Sequence, residues 1–338
     1  MSFLLMCIRL NKKMFKYKTC SEAAMAGDLD ELQRLHENGE EWNANTTANA
    51  ALGGYYDCLR YAHENGCNWD ILTPANAALG GHLNCLRYAY EHGCNWTIQT
   101  TAWAAKNGHL ECLRYAHENG CEWDTYTTRW AAYYGHFDCF RYAHEQGCVS
   151  DSTISCNAAF RGNLDCLRYA HENGCEWDLL TPANAALGGH LECLRYAHEN
   201  GCEWESRTPA YAAENGHLDC LIYAYENGCE WDESTPRYAA ENGHFDCFEY
   251  CFEKWNEPQE FWKKNFNLEE HRVILEKIDL DKPLWRQLFF TDLSQNKALM
   301  CKVERKKESI AAIQKEMFKA LQDLVTVDVI KYCCHIYI

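Results

Sequence analysis

No stretch of the 338-residue chain approaches the roughly 18 consecutive apolar residues that a membrane-spanning helix requires, so no span is expected. Basic charge is scarce where most of the chain lies. Residues 19–253 hold 12 Lys+Arg against 36 Asp+Glu, a balance of −24 within a whole-chain net charge of −17. A surface of that sign repels phosphate backbones, which argues against DNA or RNA and favours basic or neutral protein surfaces as partners. Also missing is the signal-peptide order of basic residues before apolar ones. Met1–Ile8 is apolar and Arg9, Lys12, Lys13, Lys16 and Lys18 follow it, so secretion is not expected. What the chain does not lack is core-forming material: 47% hydrophobic and 13% aromatic residues mark a folded protein.

What is present is a period. Gly27 recurs at Gly54, Gly81, Gly108, Gly135, Gly162, Gly189, Gly216 and Gly243, a constant step without one slip. Around it runs one 27-residue unit, T-P-x-x-A-A-x-x-G-H-L-x-C-L-R-Y-A-H-E-N-G-C-x-W-D-x-x, in about nine copies. A fixed period of this length is the signature of a stacked repeat array, which grows by units and has no single core. The reading divides the chain into a basic segment 1–18, an array 19–253 and a C-terminal segment 254–338.

Of 22 cysteines, 15 fall on two repeat positions, Cys58 to Cys247 and Cys67 to Cys229. Within one unit the two are separated by most of a helix, about 12 Å, and equivalents in neighbouring units by about 8–10 Å. Both distances exceed the reach of a disulfide. Small, buried, reduced thiols are the expectation, and with them a reducing compartment, cytoplasm or nucleus.

In the unit from Thr73, Thr73-Pro74 reads as an N-cap followed by Pro in the first turn, Ala77-Ala78 as a close-packing pair, and Gly80-Gly81 as a stop. A second helix from His82 to Glu91 carries Leu83, Leu86 and Tyr90 at i, i+3, i+7, and Gly93 ends it in the left-handed conformation. Trp96 covers the turn into the next unit. Each unit is a helix–turn–helix whose apolar faces are covered only by its neighbours.

On Thr73-Pro74, Ala77-Ala78, Gly81-His82 and the L-R-Y-A-H-E-N-G-C run, residues 19–253 resemble the ankyrin repeat. That family repeats at about 33 residues, and the period here is shorter. Only Trp69-Asp70-Ile71-Leu72 and its equivalents join the units, too short for the family's β-hairpin finger. The shortened unit resembles the ankyrin-type arrays of large DNA viruses of amoebae. The fold expected is an all-α solenoid of about nine stacked repeats with a C-terminal helical cap. The resemblance implies protein binding on the face lined by the first helices, with no cofactor.

His and Cys recur at i, i+3, as in His82/Cys85, His109/Cys112 and His217/Cys220, which raises the question of zinc. The pairs form a ladder one helix apart and do not converge, so a scaffold role is expected and no metal. Nine copies without an added orienting acid also argue against nucleophilic catalysis. Trp42, Trp69, Trp96, Trp123, Trp177, Trp204 and Trp231 form a second ladder, expected to pack between units. It is interrupted once. Ser150 takes a tryptophan position, Ile154 a threonine position and Asn163 the turn histidine position, which predicts a soft joint over 148–163.

The variable positions carry the functional argument. One first-helix position reads Asn49, Asn76, Trp103, Trp130, Asn157, Asn184, Tyr211 and Tyr238. The middle units gather Trp103, Arg129, Trp130, Tyr133, Tyr134, Phe160 and Arg161, residue types enriched at binding hot spots. These seven, with Tyr211 and Tyr238, are the candidate partner-binding residues, and no catalytic residue is expected. Beyond Cys247 the period fails. Helical segments are expected at Phe261–Phe266, Leu284–Phe290 and Lys302–Leu324, forming the cap. Leu324–Ile330 faintly resembles F-box-like C-termini that recruit a host ubiquitin ligase, although Thr326 stands where that motif prefers Pro. Two functions follow: an interaction scaffold for a protein partner, a host protein among the candidates, or a ligase substrate adaptor.

Overall fold

The computed structural model describes residues 16–43 and 45–254, and every regular element among them is an α-helix. The chain falls into two compact units, Met1–Asp178 and Leu179–Ile338. The first contains α1 (Cys20–Ala26), α2 (Leu29–Glu37), α3 (Asn45–Gly53), α4 (Tyr56–Glu64), α5 (Thr73–Gly80) and α6 (Leu83–Glu91). It continues with α7 (Ile98–Lys106), α8 (Leu110–Glu118), α9 (Thr125–Tyr134), α10 (Phe137–Glu145), α11 (Thr153–Phe160) and α12 (Leu164–Glu172). The second contains α13 (Thr181–Gly188), α14 (Leu191–Glu199), α15 (Thr208–Glu214), α16 (Leu218–Glu226), α17 (Ser234–Glu241) and α18 (Phe245–Lys254). Odd and even helices alternate as antiparallel pairs, one pair per repeat. This is an all-α solenoid of helix–turn–helix repeats, with six pairs described in the first unit and three in the second. The expected C-terminal helices and the Leu324–Ile330 segment lie outside the described residues.

Within each unit the odd helices pack closely on one another, α1 through α11 in the first and α13 through α17 in the second. Alanine makes this possible. Ala77 and Ala78 on α5, Ala104 and Ala105 on α7, and Ala131 and Ala132 on α9 are all fully buried. A larger side chain at these positions would push neighbouring backbones apart. The even helices are in sparser contact, α2 with α4 and so on through α12, and larger side chains occupy the space between them.

The buried stripe of the even helices differs from the expected one. On α6 the core residues are Cys85, Leu86, Tyr88 and Ala89, whereas Leu83 and Tyr90 remain half-exposed. The Cys-Leu-Ala set is buried again on α8 (Cys112, Leu113, Ala116) and α16 (Cys220, Leu221, Ala224). A cysteine fits here as a small apolar side chain, next to a leucine that fills the larger gap.

The capping expectation also needs correction. Thr73 is the first residue of α5 and is fully buried, and its hydroxyl caps nothing. Its Oγ1 lies 3.1 Å from Thr47 Oγ1 of the preceding repeat. Thr19, the equivalent threonine before α1, does accept from the Glu22 N–H, but ahead of α5, α9 and α11 the carboxylate that follows the tryptophan position takes the free N–H. Asp70 Oδ1 accepts from the Leu72 N–H at 2.7 Å, Asp124 Oδ1 from Tyr126 at 3.0 Å and Asp151 Oδ1 from Thr153 at 3.1 Å. A negative group at a helix N-terminus is favoured by the helix dipole as well. Pro74 sits in the first turn, where a missing N–H costs nothing.

The repeating glycine has two causes. Gly81 closes α5 at φ 76°, a left-handed conformation that side chains disfavour. A Cβ there would also lie 2.5 Å from His109 Nδ1 of the next repeat. The end of α5 is therefore covered by the residue that opens the even helix of the next repeat, and α3, α7 and α13 are closed in the same way. Among the described residues no helix is long and apolar enough to cross a membrane.

Candidate protein-interaction site

Two populations of aromatic side chain occupy the repeats, and separating them defines the site. The first is the tryptophan ladder, which packs between repeats as its spacing predicts. Trp69 stacks on His63 at 4.3 Å between centroids and meets the edge of Tyr88 from the next repeat at 6.2 Å. Trp123 stacks on His117 at 3.7 Å and meets Tyr142 at 6.3 Å. In the second unit Trp204 stacks on His198 at 4.3 Å, with Tyr223 at its edge. The indole N–H completes the rung by donating to a carbonyl at the end of the next even helix. Trp42 donates to Asn65 O, Trp69 to His92 O, Trp96 to Asn119 O and Trp204 to Asn227 O, all at 3.0–3.2 Å. These rings belong to the scaffold.

The turn histidines are scaffold too. Burial lowers the pKa of His109 and His217, against the pull of the Leu79 and Leu187 carbonyls that each ring faces. His63 and His117 are likewise lowered by burial. The thiols move the other way. Burial pushes Cys58 up to about 11 and Cys94, Cys112, Cys139 and Cys220 up to about 12. A neutral thiol is neither nucleophile nor metal ligand. All cysteines in the described residues are unbridged, and no three His, Cys, Asp or Glu side chains among those residues are grouped to hold a metal ion.

The interruption in the ladder is narrower than the sequence suggests. Ile154 replaces a buried threonine and is itself buried, filling the core. Asn163 replaces the histidine, and its Nδ2 donates to Ala132 O and Tyr133 O, each at 2.8 Å. Only Ser150 leaves its position unfilled.

The second population stands on the odd helices. At the variable position, Asn49 Nδ2 donates to Ser21 Oγ at 2.8 Å and Asn76 Nδ2 to Ala48 O at 3.3 Å, tying their helix to the previous repeat. Trp103 and Trp130 give up that tie and stay half-exposed. Around Trp130 a cluster assembles. Tyr126 lies 5.4 Å from it, Lys106 Nζ stands over both Trp130 and Tyr134, and Tyr133 meets Tyr134 edge-on at 5.0 Å. Across the helix boundary Phe160 lies 6.3 Å from Tyr133, and the Arg161 guanidinium covers the Tyr133 ring at 5.1 Å. Arg129 pairs with Asp151 at 2.7 Å and also lies over Tyr126. Burial works against the charged Asp151 carboxylate, but hydrogen bonds from Thr153 and Arg129 hold its pKa below the ordinary value.

Six of the sequence-predicted residues thus come together: Arg129, Trp130, Tyr133, Tyr134, Phe160 and Arg161. Trp103 is on α7, half-exposed, with no ring or cation contact to the others. Tyr211 and Tyr238 belong to the second unit, where Arg207 covers Tyr211 at 4.9 Å and Arg237 covers Tyr238 at 5.3 Å. Sequence reasoning missed Tyr126 and Lys106. A large ring one turn before Trp130 was a readable signal for Tyr126. Lys106 could have been found as a cation one turn after Trp103 on the same helix.

No protein-family model matches the sequence, and no curated protein matches it. Among solved structures, the crystal structure of the human ASB11 ankyrin repeat domain is similar over 47% of this chain and 85% of its own, with 23% identity and a TM-score of 0.42.

Proposed function

We propose that the chain is a non-enzymatic interaction scaffold that binds a protein partner through the odd-helix face of α7, α9 and α11. One observation carries this reading: Trp130, Tyr133, Tyr134 and Phe160 lie at exposed or half-exposed positions with Lys106, Arg129 and Arg161 among them. Some of these side chains also touch across repeats, as Tyr133 does with Phe160, but the close approach of the odd helices is made by fully buried alanines beneath them. Aromatic and arginine side chains on a prepacked surface lose little conformational entropy on binding and supply most of the energy at interfaces. Lys106 and Arg161 stand here beside an Arg129 that Asp151 already pairs, in a segment of net charge −24. Acidic residues on the partner would be drawn to this spot and repelled elsewhere on the array. The 27-residue unit and its resemblance to arrays of large DNA viruses of amoebae support a host protein as that partner. The unionised thiols and the repetition of every His/Cys pair support a role without catalysis.

The reading is tested by the double variant Trp130→Ala/Tyr133→Ala in the full chain. Partner capture in affinity purification is expected to be lost while far-UV circular dichroism keeps its helical amplitude. Partner capture at the wild-type level would refute the patch.

A further inference from the structure

In a regular rung, the indole rests on a ring from the preceding even helix and meets a tyrosine edge from the next repeat. Its N–H donates to the carbonyl that closes the next even helix. At Ser150 the indole is absent while all three receiving groups remain. His144 occupies the stacking position, and its neighbouring rings are Phe140 at 6.2 Å and Tyr169 at 5.5 Å. Tyr169 keeps its edge-on orientation to His144, at 87°. The Asn173 carbonyl stands at the position of Asn65, His92, Asn119 and Asn227 in the filled rungs. In place of the indole is an open cavity of about 430 Å³ lined by His144, Cys148, Ser150, Asp151, Asn173 and Cys175, among others. That volume lies within the range of small-molecule and side-chain pockets.

A second observation marks the same slot as opened by loss of the ring. Cys67, Cys94, Cys121, Cys148, Cys202 and Cys229 are buried, with exposures of 2–4%. Cys175, in the same column, is partly exposed. Its column mates Cys94, Cys121 and Cys148 each donate to a carbonyl of the preceding repeat, that of Asp70, Thr97 and Asp124 respectively. The cysteine column is uncovered where the tryptophan column is broken.

We propose that this slot is a receptor for a tryptophan side chain of a partner protein, which completes the rung in trans. The array itself specifies the occupant. A planar ring fits against His144, its edge faces Tyr169, and an N–H donor reaches the Asn173 carbonyl, requirements that indole meets and phenyl does not. Charge selects the flanking residues. The exposed Glu176 lines the opening next to an Asp151 that Arg129 already pairs, so a tryptophan flanked by Lys or Arg is favoured over one flanked by acids. Arg129 ties Asp151 to α9, so the slot shares a residue contact with the aromatic cluster, yet the proposal does not depend on that cluster binding anything.

Cys175 supplies the readout. In the full chain, its alkylation by iodoacetamide is followed by peptide mass spectrometry, with Cys156 as the internal reference because it is also partly exposed. Saturating N-acetyl-tryptophanamide is expected to slow alkylation of Cys175 by at least about twofold, as occupancy requires, and to leave Cys156 unchanged. N-acetyl-leucinamide is expected to give no protection. Ser150→Trp fills the slot from within, so Cys175 is expected to react more slowly and the probe to add nothing. His144→Ala removes the stacking face and is expected to abolish probe protection, which keeps the test valid should Ser150→Trp fail to fold. The peptide acetyl-Lys-Trp-Lys-amide is expected to protect at lower concentration than acetyl-Glu-Trp-Glu-amide. Absence of protection in the wild type, equal protection by the leucine probe, or protection that persists in both variants would overturn the slot. Equal potency of the two peptides would overturn the basic flank. The Trp130→Ala/Tyr133→Ala variant should still show protection, which separates failure of this proposal from failure of the odd-helix patch.

Discussion

Trp123 and Trp130 lie two helical turns apart in sequence and illustrate opposite uses of the same side chain. Trp123, in the ladder, has a ring stacked at 3.7 Å and a second ring at its edge, both fixed by the repeat. Trp130, on α9, has Tyr126 beside it and Lys106 above it, and is half-exposed. The ladder side chains are those the period holds constant, and the odd-helix side chains are those it lets vary. Position within the period, more than residue type, decides whether a ring supports the fold or presents a surface.

The contrast can be broken at several points, beginning with the core beneath the ladder. Leu113→Ala leaves a cavity under a regular rung and is expected to cost about 2–5 kcal/mol, read as a lowered urea midpoint or faster amide exchange in α8 and α10. Trp123→Ser copies the natural state at Ser150 and is expected to cost about 2 kcal/mol, because the site is half-exposed and loses both area and ring contacts. Trp130→Ala is expected to change stability by under about 0.5 kcal/mol while removing partner binding. If Trp130→Ala destabilises as much as Trp123→Ser, the two populations are one and the separation of scaffold from surface fails.

Acid sharpens the same contrast. His63, His109, His117 and His217 have folded-state pKa values below the ordinary value of about 6.5, so the unfolded chain binds protons that the folded chain refuses. Their contribution is fully present above about pH 6.5 and is lost as pH falls towards the lowered values. The melting temperature is therefore expected to drop between pH 7.5 and 5.5. His109→Asn, which installs the solution already present at Asn163, is expected to reduce that drop; an unchanged pH slope would show that the turn histidines do not carry it. A small effect is also expected from Asp151→Asn. It weakens a partly exposed ion pair with Arg129 worth under about 1 kcal/mol, checked by thermal melting at low and high salt.

Much of the fold was legible because each repeat samples the same sites again. Gly27 and its eight equivalents fixed the unit length, and the Ala77-Ala78 pair announced close helix contact. The stripe on the even helices was harder to read. Hydrophobic periodicity gives weight to large side chains, and Leu83 and Tyr90 outrank the Cys85 and Ala89 that are in fact buried. The capping role was misassigned for a related reason: Thr is a good N-cap by type, but Asp70, just upstream of Thr73, reaches the free N–H first. At the candidate site, residue types pointed to α9 and α11, yet no sequence rule placed Lys106 over Trp130, since that contact spans two repeats. The gap at Ser150 was visible as a substitution. Its meaning required knowing that His144, Tyr169 and Asn173 stay in place around it.

The closure of an odd helix by the next repeat within one unit also bears on how the array can change length. Gly81 is covered by His109, Gly108 by His136 and Gly189 by His217, in the same register. Excising one 27-residue segment from the interior of the first unit brings a glycine end against an equivalent histidine from one repeat further on. The cut edges match where the joint is glycine on histidine, as at Gly54, Gly81 and Gly108, so those repeats behave as interchangeable cassettes, whereas Gly27 meets Tyr55 and Gly135 meets Asn163. The cassettes containing Ser150 and the Trp130 cluster differ from the others in sequence, so they are the ones whose loss tests the two proposed sites.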